Sequence, residues 1–102
     1  MELTDDLPQT FRLLGKTWAI RRKEFSDLHG RCVVDELAIE INPASPREHQ
    51  QDTVLHETMH AIDEELGLKL NEHQVEVLAT VLFAWLQENP HVSSWLLKGP
   101  SV

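Results

Sequence analysis

Residues 53–67, TVLHETMHAIDEELG, decide how the rest of the chain is read. Leu55, Met59, Ile62 and Leu66 recur at spacings of four, three and four, the period of a helix with one apolar stripe. Gly67 stands where a left-handed residue would close the last turn. The start is marked upstream by Ser45-Pro46-Arg47-Glu48. Ser45 is placed to accept from first-turn amides, Glu48 to reach back, and Pro46 sits at the first helical position, where a missing N–H costs nothing. His56 and His60 therefore lie one turn apart on a single helix, with Glu57 directly after the first.

Ahead of this helix the period is two. Residues 1–9 read as a loose lead-in containing Pro8, and residues 11–14 and 17–20 as two short strands turning at Gly15-Lys16. After a polar link around residues 26–30 and the apolar run Cys32-Val33-Val34, residues 37–42 (LAIEIN) alternate Leu37, Ile39 and Ile41 with smaller or charged neighbours. That pattern predicts a half-buried strand ended by Pro43. A small antiparallel sheet is the expectation for the N-terminal half.

Behind the histidine helix the punctuation is again clear. Asn71 caps a second helix with Gln74 reaching back, Val75, Leu78, Ala79, Leu82 and Leu86 form its expected buried face, and Asn89-Pro90 ends it. A last short helix over residues 91–98 stops at Gly99-Pro100. Trp18, Trp85 and Trp95 are expected to pack at the core or its edges, because indole buries a large area. The fold class is α+β, with one domain over residues 1–102: sheet, histidine helix, a second helix packed on it and a short C-terminal helix.

With 102 residues the chain supports one core and no second. A hydrophobic share of 41% with 25% charged residues places it among soluble globular domains. A net charge of -8 repels phosphate backbones, and the one basic run, Arg21-Arg22-Lys23, reads as a solvated strand end, so nucleic acid is not an expected partner. The acidic N-terminus lacks a secretion signal's pattern, and no segment has the roughly 18 apolar residues needed to cross a bilayer. Cys32 is the single cysteine, read as a small buried hydrophobe, and a cytoplasmic location with no membrane partner is expected.

Imidazoles four residues apart on a helix can converge on one cation, and Glu57, about 100° around the axis from His56, can act as a base beside it. Chance alone supplies about 0.04 such H-E-x-x-H matches in a chain of this composition, so the position of the match matters more than its existence. Here it falls inside a well-marked helix. Catalytic zinc usually takes three protein ligands, so a third should come from the next helix, which offers Glu72, His73 and Glu76.

This order of sheet, H-E-x-x-H helix and glutamate-bearing helix resembles the gluzincin type of zinc metallopeptidase. The resemblance is strongest to the small ImmA/IrrE-like domains of phages and prophages, through LHETMHAIDEELGL and LNEHQVEVLATVLFAWLQENP, and covers roughly residues 37–90. It implies a minimal gluzincin-like fold. It also implies that the third ligand opens an E-x-x-A pattern, here Glu76 to Ala79, giving Zn2+ held by His56, His60 and Glu76. The implied activity is hydrolysis of a peptide or protein substrate by a zinc-activated water with Glu57 as general base and then acid, in the cytoplasm of a bacterial host if the chain is phage-encoded.

The chain departs from the family pattern at Thr80, where Asn or Asp is common, so a ligand histidine would be oriented by Thr80, by Asp63 or by a backbone carbonyl. Only 15 residues separate His60 from Glu76, which leaves little wall for a deep cleft. The chain has no tyrosine, so the donor to a developing oxyanion would be His73, His91, His29 or Arg31. His29, His49 and His91 otherwise read as surface histidines. Residues 37–41, as a sheet edge, would pair with an extended peptide. The alternative function is a zinc-stabilised, non-catalytic binding or regulatory module.

Overall fold

The computed structural model of the chain describes residues 6–99. The expected hairpin opens it: strand β1 (Thr10–Leu13) turns at Leu14-Gly15 into strand β2 (Lys16–Arg22). Both turn residues are left-handed, Leu14 at φ 51° and Gly15 at φ 82°, the two-residue turn whose twist matches the strands it joins. The turn comes one residue earlier than the sequence reading placed it, so glycine takes its second position.

Strand β3 (Gly30–Val33) passes through one 3-10 turn (Val34–Glu36) and left-handed Leu37 into strand β4 (Ala38–Ile41). The sheet order is β1-β2-β4-β3. The outer pairs are antiparallel, but β2 and β4 run parallel, with Ala19 opposite Ala38 and Ile20 opposite Ile39. The α+β architecture stands, while the sheet is mixed where an antiparallel one was expected. The short link reverses β4 against β3, and residues 23–29 carry the chain past the place that β4 fills. Side-chain alternation carries no record of strand direction.

β4 is a central strand and is buried on both faces, so it is neither half-buried nor the sheet edge. Ile39 and Ile41 join Trp18, Ile20 and Ala61 in the core. Glu40, on the opposite face, is held by the Arg31 Nε–H and lies 3.9 Å from Arg21. Arginines on the flanking strands make its burial tolerable. Trp18 is fully buried and stacks on Phe11 with ring centroids 6.0 Å apart.

Helix α1 (Arg47–Leu66) lies on the sheet, helix α2 (Glu72–Glu88) packs on α1, and helix α3 (Pro90–Leu97) contacts α2. The buried positions of α1 are Thr53, Glu57 and Ala61, each four apart. The expected stripe is less deep: Leu55, Met59 and Ile62 are half-buried and Leu66 is exposed. Leu55 shares a cavity with Phe83 and Leu86 of α2, so the larger apolar residues serve the helix contact and the small face serves the sheet. At the C-terminus Gly67 is left-handed (φ 62°) and its N–H donates to the Asp63 carbonyl at 2.7 Å, as expected.

The start of α1 differs from expectation. Pro46 occupies the cap position, Arg47 is the first helical residue, and no side chain caps the helix. The Ser45 hydroxyl instead meets His29 Nδ1 at 2.8 Å. At α2 the reciprocal Asn71–Gln74 cap forms as predicted, with bonds of 2.8 and 2.9 Å.

Val75 and Ala79 of α2 are buried, Leu82 and Leu86 half-buried, and Leu78 exposed. Trp85 and Trp95 do not cover the core: both are exposed, Trp95 at 71%. A helical period identifies an apolar face without identifying what covers it. No helix among the described residues is long and apolar enough to cross a membrane. Residues 1–5 of the lead-in and Pro100 of the expected terminal stop lie outside the described residues.

Leu14 carries an exposed branched side chain in a left-handed conformation that Asn tolerates far better. Leu14→Asn should therefore raise stability by about 0.5–1 kcal/mol. The readout is a higher urea midpoint at unchanged slope.

Candidate metal centre

Only residues 67–71 lie between α1 and α2, so α2 begins beside the last turns of α1. Gly67 and Lys69 both take φ 62°, and the Leu70 N–H donates to Asp63 Oδ1 at 3.2 Å. Asp63, a candidate for orienting a histidine, thus spends its carboxylate on fixing this connection. Glu72 is the first residue of α2, directly behind the capped Asn71. A carboxylate there is favoured by the helix dipole.

From that position Glu72 points back at α1. Its Oε1 lies 2.6 Å from His56 Nε2 and its Oε2 3.2 Å from His60 Nε2. The two imidazoles stand edge to face, 4.9 Å between centroids. One donor atom from each of the three residues lies within 4.8 Å of the other two. Tetrahedral zinc holds nitrogen and oxygen ligands at about 2.0–2.2 Å, which sets neighbouring donors about 3.3 Å apart. The 3.2 Å separation matches that spacing, the 2.6 Å contact of Glu72 with His56 is a hydrogen-bond distance that an ion would widen, and three protein ligands would leave a fourth position open.

The third donor at the histidines is therefore Glu72, one of the choices that the helix pattern had left open. Glu76, implied by the family resemblance, lies one turn along α2 and lines a neighbouring cavity of about 210 Å³ with His29, Asp52, His56 and Glu57. The signal for Glu72 was present in the short connection and in the cap at Asn71, which together start α2 at the histidines.

Glu57 lies on the sheet side of α1, 6% exposed, and makes no hydrogen bond among the described residues. Burial raises its carboxyl above the ordinary range, His56 and His60 oppose the rise, and Glu72 adds to it. A carboxyl shifted upward toward neutrality is what a proton-transferring group requires. It lines both the smaller cavity and a larger cleft of about 480 Å³ between α1 and β3, with His60, Glu72, Glu64 and Cys32. Burial, with help from Glu57 and Glu64, pushes the Cys32 thiol up to about 11, so it is no ready thiolate.

Gly30 allows this closeness. A Cβ there would sit 2.5 Å from the Glu40 carbonyl oxygen and 2.6 Å from Thr53 Cγ2, so any side chain would force β3 away from β4 and α1. β3 is an edge strand, and it forms the wall of the cleft.

Of the remaining candidates, only Arg31 borders the larger cleft. The Thr80 hydroxyl donates to Asp52 Oδ1 at 3.3 Å, tying α2 to α1 away from the imidazole pair. His73 lines a groove with Leu70, Val77 and Leu78, and His91 is exposed on α3. Arg31 follows its strand's alternation onto the opposite face of the sheet, where it pairs with Glu40 and sits over Phe25 at 5.7 Å.

This geometry predicts that Glu72→Gln weakens zinc binding by about 100-fold or more, whereas Glu76→Gln leaves it near the wild-type value, as read by competition with a chromogenic chelator. A second expectation concerns the metal-free protein. Folded Glu57 holds its proton more tightly than the unfolded chain does, so stability falls as pH rises above the ordinary carboxyl range. In chelator at pH 7, Glu57→Gln should be more stable than wild type by on the order of 1 kcal/mol, with the gap closing toward pH 4 in urea titrations.

Comparison of the chain with protein-family models, with curated proteins and with solved structures finds no match.

Proposed function

We propose that this protein is a zinc-dependent metallopeptidase. The observation that carries the reading is the convergence of His56 Nε2, His60 Nε2 and the Glu72 carboxylate next to the buried carboxyl of Glu57. The resemblance of LHETMHAIDEELGL to ImmA/IrrE-like gluzincins supports the same class. A zinc ion held by His56, His60 and Glu72 would polarise a peptide carbonyl and acidify water.

The chain's own groups supply the rest. Glu57, desolvated between helix and sheet, takes the proton of the attacking water and passes it to the leaving nitrogen. The free edge of β3, in place of the buried β4, is the strand against which an extended peptide would pair. Gly30 in that strand keeps the paired peptide close to α1.

A second reading, a zinc-stabilised module that binds a protein and cuts nothing, is favoured by one feature. Val77, Leu78, Val81 and Trp85 are exposed along α2, in a stretch, residues 77–87, without a charged side chain. The two readings part at Glu57. For the peptidase, purified protein carries about one zinc per chain and cleaves members of a mixed peptide library. Glu57→Gln then keeps the metal and loses about 10²–10⁴ in rate. A folded wild type that takes up no zinc would sink both readings. Zinc uptake without cleavage, with Glu57→Gln equal to wild type in partner binding, would select the second.

A further inference from the structure

The Ser45 hydroxyl stands where a helix cap was expected, and its one partner among the described residues is His29 Nδ1 at 2.8 Å. Leaving α1 without a side-chain cap forgoes about 1 kcal/mol, which calls for a reason at the other end of the bond. Where the Ser45 O–H donates to the imidazole, Nδ1 accepts and the ring proton sits on Nε2, the tautomer that the role below requires.

The backbone of His29 is fixed as firmly as its ring. Asn42 is buried, and its N–H donates to the His29 carbonyl at 2.7 Å. The Asn42 side-chain amide donates to the carbonyls of Leu28 and Phe25 at 2.9 and 3.1 Å, while its Oδ1 accepts from the Ala44 N–H at 3.0 Å. The edge of His49 packs against the imidazole, with centroids 5.3 Å apart. Three contacts therefore hold a histidine that precedes β3 by one residue and lines the same small cavity as His56 and Glu57. Its Nε2 has no hydrogen-bond partner among the described residues.

We infer that His29 is the catalytic residue that stabilises the oxyanion in the proposed hydrolysis, with Ser45 and Asn42 as its positioning residues. The assignment rests on the metallopeptidase reading and fills the role left open by a chain without tyrosine. In the step concerned, the water oxygen bonds to the carbonyl carbon while the carbonyl π pair moves onto its oxygen, and Glu57 takes the water proton. His29 Nε2–H donates a hydrogen bond to that oxygen and keeps its proton. Collapse re-forms the carbonyl, breaks the C–N bond, and returns the proton from Glu57 to nitrogen. Of the other candidates, Arg31 borders the larger cleft but commits its guanidinium to Glu40, and His73 lies in the α2 groove.

The test uses zinc-loaded full-length protein and the best substrate from the peptide library. His29→Ala should lose about 100-fold in kcat with KM and zinc content unchanged, and Ser45→Ala should lose less, about tenfold. His29→Gln, which keeps a donor, should recover part of the loss. A phosphinic analogue of the substrate, tetrahedral at the reacting centre, should bind His29→Ala about 100-fold more weakly than wild type, while the cleaved product peptide binds both alike. A His29→Ala protein that cleaves at wild-type rate, or that weakens analogue and product equally, overturns the assignment. A wild type that binds zinc and cleaves nothing overturns the peptidase reading itself, and the assignment with it.

Discussion

The packing of α1 on the sheet through Thr53, Glu57 and Ala61 is the constraint on which the candidate site depends. Two of these side chains are small, and Gly30 opposite Thr53 has none, so helix and strand approach closely enough that a methyl group at Gly30 would collide with both Glu40 and Thr53. That distance sets the width of the cleft between α1 and the edge strand. It also forces Glu57 into the interface with no hydrogen bond, a position that costs stability in the metal-free chain. A buried carboxyl beside two imidazoles, its proton affinity raised by that burial, suits proton transfer.

Much of this frame was legible before any coordinates. The end of α1 at Gly67, the reciprocal cap of α2 at Asn71 and the hairpin near Gly15 are local events, settled by backbone groups within a few residues, and the sequence reading placed each within a residue. What it missed was settled at a distance. The alternation of Leu37, Ile39 and Ile41 with smaller or charged neighbours predicts a half-buried strand, and the arginines of neighbouring strands explain why Glu40 is buried as well. The parallel β2–β4 pair depends on which neighbour a strand finds, a choice that alternation of side chains does not encode. Trp85 and Trp95 looked like core because tryptophan usually is, yet Trp85 on α2 and Trp95 on α3 are both exposed.

The carboxylate that meets the two histidines shows the same division more finely. Glu72 and Glu76 are both on α2, one turn apart, a displacement of about 5.4 Å that no helical wheel resolves. What separates them is the geometry of residues 67–71. Two left-handed residues and the Asp63–Leu70 bond turn the chain so sharply that the first turn of α2, not the second, meets the imidazoles. The family pattern implied Glu76, and in this structure Glu76 faces the adjoining cavity instead.

Three polar side chains hold the segments that carry His29 and Glu72, and none of the three lines the cleft itself. Ser45 leaves α1 uncapped and holds His29, Asp63 turns from the histidines to fix the start of α2, and Asn42 donates three hydrogen bonds to the segment before β3. Rules of local stability are usually obeyed where nothing else is at stake, so departures gathered at one place point to a demand other than folding. Scattered departures would have suggested a merely tolerant fold. Here they fix the two segments on either side of Glu57: Glu72 with His60 borders the larger cleft, His29 borders the smaller cavity, and His56 and Glu57 border both. The apolar strip on α2 lies outside this convergence, because nothing in the packing of Val77, Leu78, Val81 or Trp85 supports the cleft. Catalysis and partner binding, the two functions considered for this chain, thus draw on separate surfaces and can be altered separately by substitution.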